Sequence, residues 1–185
     1  MKTEKLEKLS PCKEAIAFCR QFKTYKEAWQ NCERGDWMLW LAARLKVDER
    51  KLFLASGKCA ETVIHLMKDQ RSRDGVQAAI DYGNGLINKN QLENAAYAAA
   101  SAADAAYAAA YAAYAADAAD AAAYAASAAD AAYAAFAAAA YAAYAAYDAA
   151  SAATSAAAKK NNQLLTANIC REILTDAVFA KYKRL

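Results

Sequence analysis

Proline occurs once in these 185 residues, histidine once and glycine only five times. With so few breakers, most of the chain holds nothing that stops a helix. The lone histidine, His65, follows Cys59 by six residues. A Cys/His metal site needs more ligands than that pair offers, so His65 is read as an ordinary helical side chain. Five cysteines without a C-x-x-C pair argue against a disulfide framework and for reduced thiols in a cytoplasmic protein. Neither a Walker loop nor a dinucleotide fingerprint is present, and no family signature of a nucleophile surrounds any cysteine. The expectation is a protein without metal or cofactor and without catalytic residues, hence not an enzyme.

What the chain has in abundance is alanine. Residues 95–158 hold 44 Ala, nine Tyr, five Asp, four Ser, one Phe and one Thr, with no Gly, Pro, Lys or Arg. Alanine loses no side-chain entropy on entering a helix, so this tract is helical. Its large residues, from Tyr97 through Ser101, Asp104, Tyr107 and Tyr111 to Tyr133, recur at steps of three or four. These steps average below the helical repeat, so the stripe drifts around the cylinder and no flat neighbour covers it. One unbroken helix of 64 residues would also span roughly 96 Å, too long for a compact domain. The phase breaks at 137–140 and where Tyr147 meets Asp148. The spacing therefore predicts two or three closely packed helices, with alanine permitting close axes.

Charge is unevenly shared. Residues 1–93 carry 17 basic and 13 acidic side chains, residues 94–158 five acidic and no basic ones, and residues 159–185 six basic and two acidic. The largest helical surface thus lacks the basic patch that follows a phosphate backbone, which argues against nucleic acid as a partner. Alanine interrupted by aspartate is too weakly apolar for a membrane span.

The flanking regions read as short helices with local start signals. Ser10-Pro11 predicts a cap and first turn, and Ala15, Ile16, Phe18, Cys19 and Phe22 supply an apolar side. Thr24 to Glu27 forms a capping box. Gly35 is read as a C-cap and Asp36 as the N-cap of the next helix, which presents Trp37, Trp40 and Leu41 on one face. Asp48 caps a further helix, with Gly57 inside it as a close-packing point. The stretch from Arg71 to Gly75 is read as a polar loop, Gly83-Asn84-Gly85 as a stop, and Asn90 to Glu93 as a second capping box. A last helix starts near Gln163 with Leu164, Leu165, Ile169, Ile173, Leu174, Val178 and Phe179 as its apolar residues. The fold class is all-α, a closely packed helical bundle or array. Its regions are an N-terminal helical part (1–93), the Ala/Tyr tract (94–158) and a C-terminal helix (159–185), making one cooperative domain.

Two groups of residues are candidates for binding. Arg34, Asp36, Trp37 and Trp40 form a dense polar-aromatic corner. Tyr107, Tyr111 and Tyr114, flanked by Asp117 and Asp120, form an acidic aromatic surface of the kind enriched at interfaces. The run Cys32-Glu33-Arg34-Gly35-Asp36-Trp37-Met38-Leu39-Trp40-Leu41, preceded by Ala28-Trp29, resembles the opening of a bacterial and phage immunity-protein family. Members continue into a D-P-R-S turn, resembled by Asp69-Gln70-Arg71-Ser72, with Gln70 in place of the proline. They pass through an Ala-rich tract with D-A-A-Y-A-A repeats and end on an amphipathic helix, resembled by Ile169-Cys170-Arg171-Glu172-Ile173-Leu174. The likeness covers most of residues 11–180. It implies an all-α, non-enzymatic protein that neutralises a toxin by binding it, and it brings no established binding residues.

The expected partner is therefore a protein, either a toxin or a second copy of the chain. Sequestering a small molecule such as a nucleotide signal is the alternative, with Arg34, Arg44, Arg71 and Arg73 as the available phosphate ligands. A structural, ice-binding role is a third reading, which the rotating stripe and the bulky tyrosines disfavour.

Overall fold

A computed structural model describes residues 3–67, 69–113 and 156–183, and the side chains of these apart from Leu66, 102–113 and 156–159. Eight α-helices lie among the described residues, with no strand. They are α1 (Glu4–Glu7), α2 (Lys13–Arg20), α3 (Tyr25–Asn31), α4 (Gly35–Arg44), α5 (Glu49–Glu61), α6 (Gln70–Gly83), α7 (Lys89–Ala113) and α8 (Ala156–Tyr182), with one 3-10 turn at Ile64–Leu66. The all-α class holds.

Local chemistry sets several of these helices where the residues predict. Thr24 caps α3 by accepting from the Glu27 amide at 3.1 Å, while Glu27 reaches back to the Lys23 amide at 2.9 Å. Asp48 caps α5 by accepting from the Lys51 amide at 3.1 Å. Other boundaries move. The reciprocal capping box of α7 is Asn88 with Gln91, each side chain accepting from the other's amide, two residues before the expected Asn90. Asp69 caps α6 through the Arg71 amide at 2.8 Å, so Arg71 to Gly75 is its first turns rather than a loop. Ser10 is not a helix cap: it sits in the left-handed region at φ 58° after α1, and α2 begins after Cys12.

The packing order is α7 on α6, α6 on α5, and α5 and α4 on α8. Glycines permit the closest of these approaches. A Cβ on Gly83 would sit 2.5 Å from Leu54 Cβ, one on Gly57 2.8 Å from Ile80 Cγ1, and one on Gly75 2.9 Å from Ala99 Cβ. The α7 face that meets α6 carries Leu92 and then the alanines Ala95 and Ala99, whereas Tyr97 is 59% exposed. The start of the stripe points away from the neighbour that its own helix packs on. Tyr107 and Tyr111 fall within α7, but their side chains, with Tyr114, Asp117, Asp120 and both phase breaks, lie outside the described residues.

The largest core surrounds α8. Its buried stripe is Ala167, Cys170, Leu174, Val178 and Tyr182, at the three- and four-residue steps of one helix face. Leu164 and Leu165, expected to be apolar anchors, are 41% and 48% exposed. The reason is the crossing with α4. Gly35 opens α4 rather than closing α3, and a Cβ there would overlap Thr166 Oγ1 and lie 2.8 Å from the Thr166 carbonyl carbon. Backbones that close admit alanine and cysteine between them, not leucine. On α4 the buried residues are Gly35, Met38 and Ala42, followed by Leu45. Trp37, Trp40 and Leu41 form a second, half-exposed face beside this stripe.

Two helices end with the same hydrogen-bond pattern. After α6, the Gly85 amide donates to Tyr82 and that of Leu86 to Asp81, with Gly85 at φ 78°. After α4, Lys46 donates to Ala43 and Val47 to Ala42, but the left-handed residue is Lys46 at φ 51°. Both are Schellman ends, and the second puts a lysine where glycine has no steric penalty. The left-handed region costs a side chain about 1–2 kcal/mol, while a new glycine adds about 0.4–1 kcal/mol of unfolded-state entropy. Lys46→Gly should therefore raise the melting temperature by about 1–4 °C, read by circular dichroism. A lower melting temperature would contradict this account of the α4 terminus.

Candidate functional site

Arg34, Asp36, Trp37 and Trp40 come together at the start of α4. Arg34 is the residue before the helix, with extended backbone (φ −112°, ψ 93°), and Asp36 lies in the first turn. Asp36 is therefore not the N-cap. Its carboxylate accepts both arms of the Arg34 guanidinium, Nε at 2.8 Å and Nη2 on the other oxygen. The same guanidinium lies 4.7 Å from the Trp37 ring centre, and the Arg44 guanidinium lies 5.7 Å from that of Trp40. Stacking and a bidentate pair hold these long side chains in one geometry.

The corner rests on a rigid floor. Arg171 of α8 donates to the Cys32 carbonyl at 2.7 Å and to the Trp29 carbonyl, completing the end of α3, and donates to Asn168 Oδ1 at 2.6 Å. Trp29 Nε1 donates to Thr175 Oγ1 at 2.8 Å, and Thr175 in turn donates to the Arg171 carbonyl. The segments around Cys32 and around Arg171 are thus bonded to each other across the core. Sequence reasoning missed Arg171, Thr175 and Trp29 as supports. Their signal was faint, a single arginine among apolar residues in the last helix.

Three thiols are buried beneath the corner: Cys32, Cys59 and Cys170. Cys170 Sγ lies within weak hydrogen-bond reach of Cys59 Sγ at 3.9 Å, both as free thiols, and 3.6 Å from the Gly35 carbonyl oxygen. Its neighbour Cys59, together with burial, raises the Cys170 ionisation well above the thiol range. Burial raises Cys32 and pushes Cys19 up to about 11. These are packing groups with a weak donor, not activated nucleophiles. Among the described residues no group of three His, Cys, Asp or Glu side chains is placed to hold a metal ion. His65 lies exposed in the 3-10 turn.

Beside the corner, a cleft of about 520 Å³ opens between α2, α4 and α8. All three tryptophans, Trp29, Trp37 and Trp40, line it, as do Arg34, Asp36 and Tyr182. Its outer wall is α2, whose apolar side Ala15, Ile16, Phe18 and Cys19 is only half-buried, and no residue of α2 is fully buried. Phe18 meets Trp37 edge-on with ring centres 5.8 Å apart. At the far end Tyr182 packs against Tyr25 with the rings tilted and their centres 4.1 Å apart, and Trp29 meets Phe179 at 6.2 Å. The arginines considered for phosphate are engaged elsewhere or with carboxylates: Arg71 pairs with Asp69 at 2.8 Å, and Arg73 donates to the Met67 carbonyl. Among the described residues no helix is long and apolar enough to cross a membrane.

No family model matches the chain, and no curated protein or solved structure matches it either.

The buried acids imply a pH dependence. Burial, then the neighbouring Tyr25 hydroxyl, raises the Tyr182 phenol, alongside the raised thiols of Cys19, Cys32 and Cys170. Below the ordinary thiol value of 9.0 both folded and unfolded chains keep these protons, and stability is complete. As pH climbs from there towards about 11, the folded value of Cys19, the unfolded chain ionises first and stability is lost. The melting temperature should hold level to about pH 8.5 and fall steadily above about pH 9. A level or rising melting temperature up to about pH 10.5 would contradict the burial of these groups.

Proposed function

We propose that the chain is a non-enzymatic binding protein of the immunity or antitoxin kind, acting in the cytoplasm by docking a partner protein. The observation that carries this reading is the corner itself. A bidentate Arg34–Asp36 pair is stacked on Trp37 at the mouth of an apolar cleft, on a helix whose other face is buried. Tryptophan and arginine are the side chains most enriched among energetic anchors of interfaces, and they act best when held rigid beside an apolar pocket. The likeness of this same segment to the immunity-protein family supports the reading. Tyr97, exposed on α7, favours a second contact surface, for a partner or for another copy of the chain.

Co-expression with any toxin encoded near its gene tests the proposal. The chain should rescue growth and co-purify with such a toxin. Arg34→Ala should weaken that complex by about 2 kcal/mol or more with little change in melting temperature, and Trp37→Ala should weaken it at least as much while also lowering the melting temperature, since Trp37 packs on Phe18 and the core. If no toxin is neutralised or bound, or if both variants bind as the parent does, the corner is not the recognition surface.

A further inference from the structure

Helix α4 carries the same unit twice, once complete and once open. At its start Arg34 lies over the Trp37 ring, and both arms of its guanidinium are taken by the Asp36 carboxylate. At its end Arg44 lies over the ring of Trp40, three residues on from Trp37. Here the carboxylate is missing. Arg44 is exposed, and among the described residues its guanidinium has neither a hydrogen-bond acceptor nor an ion-pair partner.

A cation in the last turn suits the helix dipole, which accounts for a positive charge at this position but not for the ring beneath it. Lying over Trp40 restricts the rotamer freedom of a long side chain, so less is lost when it binds. The N–H donors lie at the edge of the guanidinium plane, where a carboxylate takes two of them at once. The pair at Arg34 shows the geometry that this unit adopts when it is filled.

Charge selects the anion. On α4 and its flanks, Glu33, Arg34 and Asp36 leave one net negative charge at the start, while Arg44, Lys46 and Asp48 leave one net positive charge at the end. One carboxylate balances that end. A phosphate monoester, at about −1.5 to −2 near neutral pH, exceeds it, and the other arginine at α4 is already paired. Between the two ends Trp37 and Trp40 both line the apolar cleft, so the space next to Arg44 suits an apolar side chain.

We propose that Arg44 is the acidic-residue subsite of the docking surface: a partner protein sets one Asp or Glu carboxylate against its guanidinium, as Asp36 does on Arg34, and places a neighbouring apolar side chain in the cleft at Trp40. This rests on the reading of the corner as a protein-docking surface and adds the chemistry of the partner. It also gives the partner a direction, because a segment docked the other way round sets its carboxylate against Glu33 and Asp36.

The test selects a displayed library of random short peptides on the purified full chain, then titrates the synthesised binders by tryptophan fluorescence. The binders should share an Asp or Glu beside an aromatic or aliphatic residue. Arg44→Gln should weaken them about ten- to hundredfold, and so should replacing the peptide carboxylate by its amide. The two changes together should cost no more than either alone. Arg44→Lys, which keeps the charge without the two-armed edge, should recover only part of the affinity. Because the side chain is exposed, Arg44→Gln should melt within about 2 °C of the parent. Binders that lack an acidic residue, or that hold Arg44→Gln as tightly as the parent, overturn the proposal. If such binders are nevertheless lost with Arg34→Ala, the corner still docks proteins and only the acidic subsite falls. Binders indifferent to both variants, or no binder at all, overturn both readings. A saturable response to inorganic phosphate that Arg44→Gln abolishes makes this a phosphate site and overturns the carboxylate.

Discussion

The rest of the molecule depends on how closely α8 passes α4 and α5. At the crossing, Gly35 lies so near Thr166 that a single methyl group would strike its backbone. Ala167 and Cys170 are completely buried there, and Cys59 brings a second sulfur from α5. Larger side chains are excluded, so the apolar surface that stabilises the fold is buried one and two turns further along, at Leu174 and Val178 against Met38 and Trp29. Burying each of the two aliphatic side chains is worth about 1.5–3 kcal/mol. The same crossing sets the position of Arg171, which completes the end of α3 and so fixes the chain entering the Arg34–Asp36 corner.

Signals confined to one turn were legible in the sequence. Thr24 with Glu27, and Asp48 before α5, cap where local hydrogen bonding directs, because the donor and acceptor are three residues apart. Gly57 was legible as a contact point because a glycine inside a helix needs a reason. Where tertiary contact decides, the reading slipped. Gly35 looks like a helix stop and is a helix start, since its reason for being glycine is Thr166, far away in the chain. Leu164 and Leu165 look like core and are exposed, while Ala167 and Cys170 take the buried positions because backbone proximity admits nothing larger.

The candidate site divides along the same line. Arg34, Asp36, Trp37 and Trp40 do assemble, because they lie within two turns of one helix. The cleft beside them was not legible, since its lining comes from α2, α4 and α8 and meets only in three dimensions. Even so, the stripe of α2 from Ala15 to Phe22 announced an apolar partner, and the structure gives it a half-empty one. At the start of the Ala/Tyr tract, Ala99 faces α6 and Tyr97 is exposed. This follows from size: Gly75 and Ala99 meet too closely for a ring to pass between.

If the α8 crossing carries the fold and α2 only covers a cleft, their backbone amides must open differently. Native-state hydrogen exchange at increasing denaturant measures this residue by residue. Amides of α8 from Ala167 to Val178, with those of α4 and α5 facing them, should exchange only through global unfolding and with one common free energy. Those of α2 should exchange through a smaller, local opening that leaves α4, α5 and α8 protected. If α2 is as protected as α8, or if α8 exchanges while α6 and α7 remain closed, the account is wrong.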